Sequence, residues 1–539
     1  MRRLCCALLV AIVAGCTRVG APASPNGRHA WTVPHVLRIA DISDPDHLNP
    51  YLSEMDLVYD LSSLIYSYLV ISDDRGRLVG DLAETVPTPF NGGVSRDGLT
   101  VTYHLRRGVL WQDGAPFTAR DVIASWRAVV DPRNDTLFRE GYDRVASIRA
   151  PNPYTVVVRL RERDPAFVSQ FFAPLQEGGK PVLPAHVIDR DVDFNHSSLD
   201  THPIGTGPFA FVSWKRGTGI VLERFDRYFK GRPKLARIEL HVIPDDQTIA
   251  TEVRVHHVDL VVSPTGALYE EYRSFPGVVT GLRPWNAQEV LILNERKPGL
   301  ADVTVRRAVA SAIDYDALLR KIAHGIGEEA YNTLPPTALG YERLPPHRYD
   351  PVRANRLLDA AGWVRGSDGV RSRRGVRLAF TLAVIAGSTT LTDIGIELQQ
   401  NFKAVGIALT MKSYPYDTIF VPAGPILSGT YDMAIYSTTL QWDPDVHVYV
   451  GCDRWYPHGQ NVFGYCNREV DALEKRGLQT EDPLIRAALY RQASEIMWET
   501  ISYVPLYELR RPIVRSPDLR NFSTNPSATP WWNAWQWDI

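Results

Sequence analysis

An α/β architecture is predicted by three features of this sequence. Apolar strands of period two alternate with helical-period segments along the whole chain. The later half orders them strand, helix, strand, as in βαβ units. About 510 residues lie outside the N-terminal leader and tether, more than one hydrophobic core holds, so two or three domains are expected. No self-similarity appears at periods of about 20–50 residues, which argues against solenoids and propellers.

In chain order, residues 35–42 (HVLRIADI) alternate as a strand, and 54–70 (EMDLVYDLSSLIYSYLV) read as a helix. Asp97-Gly98 marks a turn before the alternating run 99–111. Residues 118–131 read as a helix capped by Thr118, with Asp121 closing a loose capping box. Residues 153–161 are another strand, and strands follow at 209–214, 219–225 and 236–243. The strand 289–295 (EVLILNE) leads into an Ala-rich helix over 305–323. Further on, 350–362 and 391–406 are helical, while 377–385, 431–438 and 501–509 are strands. Asp482-Pro483 sits where a helix over 485–501 begins.

The N-terminus reads as an export signal. Arg2 and Arg3 precede the apolar run 4–15, which at about a dozen residues is too short to span a bilayer. Val13-Ala14-Gly15-Cys16 resembles a bacterial lipobox, which implies cleavage before Cys16 and lipid on that residue; an ordinary signal peptide with Cys16 as bystander is the alternative. Residues 16–33, rich in Gly, Pro, Ala and Ser from Thr17 on, read as a flexible tether. Removing the leader takes Arg2 and Arg3 from the 59 basic residues against 61 acidic ones, a net charge near −4 with no basic block. That argues against a nucleic-acid partner and against a polybasic membrane surface. Cys452 and Cys466, 14 apart in a Gly/Asn/Pro-rich stretch, make a plausible loop-closing disulfide in an oxidising compartment. Two free thiols are the alternative.

Chemistry-bearing motifs are missing: no GxGxxG, Walker A, GxSxG or HExxH occurs. What the chain does carry is a set of fold-bearing segments. Asp81-Leu82-Ala83-Glu84, the run 95–109 (SRDGLTVTYHLRRGV) and 111–122 (WQDGAPFTARDV) are similar to the signature region of family 5 solute-binding proteins, the peptide- and nickel-binding receptors of ABC importers. Gly205-Thr206-Gly207-Pro208-Phe209, 227–233, Asn294 with 302–309, and 350–363 match in family order. Most of these positions read as structural: Gly205 and Gly207 for close backbone approach, Arg306 for an internal ion pair.

The resemblance implies a periplasmic binding protein-like fold of the class II (cluster C) type, two closing lobes plus an extra subdomain. It maps lobe I to 34–75, 200–290 and 508–539, lobe II to 76–199 and lobe III to 291–507. EVLILNE and 503–509 (YVPLYEL) then become the hinge strands. It further implies no enzymatic activity and no cofactor, a peptide or small-molecule ligand, permease and ATPase partners, a monomer, and a periplasmic or cell-surface location.

In peptide-binding members an Asp a few residues before a Glu/Asp-Pro pair receives the ligand's ammonium. Here Asp443-Pro444 supplies the pair, but the Asp position reads Leu440. Two readings stay open: Asp443 or Asp445 receives an amine, or the ligand is a non-peptide solute such as a nickel chelate, a sugar or an opine-like compound. Trp442 is the leading candidate for an apolar wall. Trp285 and Asn286, just before a hinge strand, are candidates to line the cleft; Tyr51 and Tyr436 are weaker ones. The aromatic run 531–537 (WWNAWQW) reads as a lid packed on lobe I. His256, His257 and His447 lack metal-ligand spacing, and no metal is expected. An exported hydrolase is the competing function; the missing nucleophile motif stands against it.

Overall fold

The structure is a computed structural model that describes residues 27–539 apart from 140, 176–178, 192, 441–442, 445, 457 and 524–530. A ten-stranded mixed sheet runs through it. In chain order its strands are β1 (Val36–Asp41), β2 (Phe209–Lys215), β3 (Gly219–Arg224), β4 (Arg237–Val242), β5 (Leu260–Val262), β6 (Val279–Leu293), β7 (Ala379–Ile385), β8 (Ala408–Tyr414), β9 (Met433–Thr439) and β10 (Val504–Arg515). In space they lie in the order β8, β7, β9, β6, β10, β5, β1, β4, β3, β2. β1 is parallel to β4 and β5, and β7 is parallel to β8 and β9. The helices Asp246–Arg254 and Thr389–Ala404 supply the β4–β5 and β7–β8 crossovers, as parallel pairing requires.

Burial along the strands explains where the cores form. Leu291 and Leu293 of β6, Leu382 and Val384 of β7 and Met433 and Ile435 of β9 face one core with the helix Val303–Ala312. Val290, Ile292, Ala383 and Ala434 alternate onto a second core, against Pro483–Thr500. Both faces of this half are covered, so its strands read as near-continuous apolar runs. A further core gathers β1, β2, β3, β4 and the segments 48–199, and Trp531 and Trp537 pack into it. Within it, Thr100–His104, Val145–Asn152 and Thr155–Leu160 form a separate three-stranded sheet beside the helix Ala119–Val130. That helix has the Thr118/Asp121 capping box expected from its sequence.

Two helices are shorter than their periodicity predicts. The first runs Asp56–Ile65 and gives way to extended backbone and a short strand, Val70–Ser72. Residues 66–71 are buried on every side, so no polar face remains to hold a helix there. The cause sits opposite: a Cβ on Gly205 would lie 1.8 Å from the Ile65 carbonyl oxygen, and Gly207 N–H donates to that oxygen at 2.9 Å. The glycines allow the two backbones to touch. The second helix breaks after Ala312, where Asp314 caps a new turn by accepting from Ala317 N–H at 2.9 Å. Arg306 reaches Glu295 at 3.1 Å, the internal ion pair read from the sequence. Cys452 and Cys466 are bonded, with their Cα atoms 4.7 Å apart. Among the described residues no helix is long and apolar enough to cross a membrane.

Candidate functional site

Among the described residues, the chain leaves the first half through β6 and returns through β10. These two strands pair antiparallel along most of their length, with register shifts between Pro284 and Gln288 and between Glu289 and Val290. Val279–Pro284 pair with Arg510–Arg515, and Gln288–Leu291 pair with Val504–Glu508. The ladder is interrupted between Pro284 and Gln288, and from Ala287 on β6 also pairs with β9 along its other edge. Trp285 and Asn286 lie in this break. It is the seam between the two halves, and bulges of this kind re-aim side chains and bend strands.

The side chains at the seam are unusually polar for an interior. Asn286 is 2% exposed; its Oδ1 accepts from the Thr337 hydroxyl, and its carbonyl accepts from Leu440 N–H at 3.0 Å. The Arg511 guanidinium lies 3.8 Å from the centroid of the half-buried Trp285 ring and pairs with Asp56 at 2.6 Å. Its register partner, Arg283, is 3% exposed. Burial, and next the neighbouring Arg511, push the Arg283 guanidinium down to about 10.

Two buried acids flank the break on opposite faces. Glu289 is pushed up to about 7 by burial, against a 3.1 Å hydrogen bond donated by Ser437. Glu508 is pushed up to about 8, also by burial, while Gln288 Nε2 donates to it at 2.8 Å. Among the described residues, one oxygen of each carboxylate is buried without a hydrogen-bond partner. Such shifts are desolvation of the charged form, the commonest signature of a polar site sunk in a protein.

The sequence candidates distribute unevenly. Trp285 and Asn286 are at the seam. Tyr436 is on β9, half-buried, its ring 5.6 Å from Phe420 in edge contact. Trp442 and Asp445 lie outside the described residues, as does Cys16. Two assignments need correction. Tyr51 is fully buried in the first core, its hydroxyl donating to Pro181 O at 2.7 Å, so it faces no open cleft. Asp443 is 3% exposed and forms a bidentate pair with Arg486, so its carboxylate is already committed. Burial alone would lower the Arg486 pKa; Asp443 overrides it and moves it well up. That pair borders a cavity of about 250 Å³ that Phe90, Val101 and Asp164 also line. Nearby, Arg163 donates to the Gln479 carbonyl at 2.9 Å, linking segment 76–199 to segment 291–507.

Sequence spacing missed Arg283, Glu289 and Glu508; charged residues inside an otherwise apolar strand were the available signal. It also missed His447, Asp453 and Asp471, whose ligand-type atoms lie within 4.8 Å of one another. Lys475 pairs with both acids of that group, and Arg454 Nε donates to His447 Nδ1 at 3.3 Å. The cluster is thereby neutralised by its own cations.

An α/β molecule with a two-strand crossing and a polar seam has the class II type fold of periplasmic binding proteins. Residues 77–453 match the profile of the bacterial extracellular solute-binding proteins, family 5, and the chain belongs to that family. Protein XP55 of Streptomyces lividans is 29% identical over 506 residues, 91% of this chain and 86% of that protein. The oligopeptide-binding protein AppA of Bacillus subtilis is 25% identical over 513 residues, 92% and 91% of the two chains. The crystal structure of NikA from Brucella suis in complex with Fe(III)-EDTA shares the fold at a TM-score of 0.79 and 23% identity, covering 93% of this chain and 99% of that one. The protein is therefore a solute-binding protein of the ABC-importer class and not an enzyme. Members of this family are periplasmic or extracellular.

Proposed function

We propose that the protein captures small peptides at the seam between its two halves and presents them to a membrane permease driven by an ATPase. The single observation that carries this reading is the break at 284–288. A polar, partly unsatisfied site lies where the only two connecting strands among the described residues change register. Lobe I (34–75, 200–290 and 508–539) and lobe III (291–507) then close about β6 and β10, with lobe II (76–199) beside them. Ligand has only to favour the closed arrangement over the open one. Lipid on Cys16 tethers a monomer to the membrane through residues 16–33, of which Arg28 and His29 are already held on the body by Asp538 and Asp518. The kinship with an oligopeptide-binding protein supports the peptide class.

A second reading, a non-peptide solute such as a metal chelate, is favoured by one observation. Leu440 occupies the position of the amine-binding acid and packs in a core, and Asp443 is held by Arg486. Native mass measured before and after denaturation tests both. Protein expressed as residues 27–539 is expected to release a ladder of two-to-five-residue peptides. A single non-peptide species would sink the peptide reading and leave the solute receptor standing.

A further inference from the structure

Arg283 is a cation without a counterpart. It sits in β6 two residues before Trp285, at the edge of the seam, and is 3% exposed. Its Nε is buried with no hydrogen-bond partner, and no ion pair reaches its guanidinium among the described residues. Asp60 and then Asp56 attract it, but Asp56 is held by Arg511 at 2.6 Å and, among the described residues, neither acid forms an ion pair with Arg283. An uncompensated buried charge is among the most costly features a fold can carry. Structural arginines in this same protein are treated otherwise. Arg486 is clamped by Asp443, Arg306 by Glu295 and four backbone carbonyls, Arg38 by Asp259. Arg283 is left open beside the first interruption of the ladder, two residues before Trp285, which offers an apolar wall.

We propose that Arg283 is the receptor for a carboxylate on the bound solute, so that recognition runs through the ligand's acid group and not through an amine at the Leu440 position. This rests on the solute-receptor reading above. A guanidinium takes a carboxylate in a two-point, charge-assisted arrangement, and it does so best where water is excluded. The ligand thus completes the interior of the closed protein. The tight packing of Leu440 follows as well, since a ligand held at its acid end has no need of a carboxylate there.

The test uses residues 27–539 and the variants Arg283→Met and Arg283→Lys. Binding is measured by calorimetry with tri-alanine as free acid and as C-terminal amide, and with succinate and glutarate. Melting is followed with and without each probe. Wild type is expected to prefer the free acid over the amide by at least about 10-fold. Arg283→Met should bring the two within about two-fold, and Arg283→Lys should retain part of the preference. Ligand-free Arg283→Met should melt no lower than wild type, because it removes a buried charge without orphaning a partner. Equal binding of acid and amide overturns the proposal and leaves the peptide reading intact. Failure of both tri-alanine forms, with Arg283-dependent binding of a dicarboxylate, ends the peptide reading and sustains this one. Loss of several degrees in ligand-free Arg283→Met, or no protection of wild type by any carboxylate probe, also overturns it.

Discussion

At the scale of single residues, the interior charges separate into those that hold the fold and those that wait on conditions. Asp443 and Arg486 hold it. Asp443→Ala leaves a guanidinium buried and unpaired, and a loss of about 3–5 kcal/mol is expected in urea denaturation. Replacing both partners together, Asp443→Leu with Arg486→Met, should restore most of that. Glu289 and Glu508 behave differently. Burial raises each above its unfolded value of 4.5, so the folded protein binds protons that the unfolded chain has released. Their contribution to stability is therefore fully present below about pH 4.5, falls as pH rises through about 7 and 8, and then levels off. Glu289→Gln and Glu508→Gln should each raise stability at pH 8.5, on the order of 2 kcal/mol, and leave it unchanged at pH 4.5. Denaturant midpoints at the two pH values check this. None of these pairings was legible locally. Asp443 looks like a cleft residue beside Trp442 because Arg486 is 43 positions away.

At the scale of elements, legibility followed period. Eight of the ten sheet strands and the caps at Thr118 and Asp482 were readable, because alternation and short-range capping are local; β5 and β8 were not read. The end of the first helix at Ile65 was not, since the glycines that crowd it are 140 residues on. The break in β6 was hidden for the same reason: a register shift against a distant strand leaves no mark on the strand's own pattern. The disulfide was legible from two cysteines in a loop-rich stretch. It closes a loop with a sequence separation of 14, and replacing both cysteines by serine should lower stability by about 3 kcal/mol. Thermal melting with and without a reductant gives the same comparison on the unaltered chain.

At the scale of the whole molecule, the family membership was visible in spaced motifs, while the contact that joins segment 76–199 to segment 291–507 was not. Arg163 spans that gap to the Gln479 carbonyl, and a Cβ on Gly98 would meet Glu481. If the halves move, this contact belongs to the closed arrangement. Arg163→Ala should leave the melting temperature unchanged and weaken apparent ligand affinity by about two- to five-fold, through the open–closed balance alone. Small-angle scattering should show a smaller radius of gyration with ligand than without, for wild type and variant alike.

The pairing of β6 with β10 also limits the ways in which the halves can move. Two neighbouring antiparallel strands form a ribbon two backbones wide. A ribbon folds readily across its flat face and resists sliding or splaying, because both would break cross-strand hydrogen bonds on either side of 284–288. In the proposed closure this leaves a single soft coordinate. A surface reading that coordinate from outside sees nearly an on-or-off signal, whatever the exact shape of the cargo that set it.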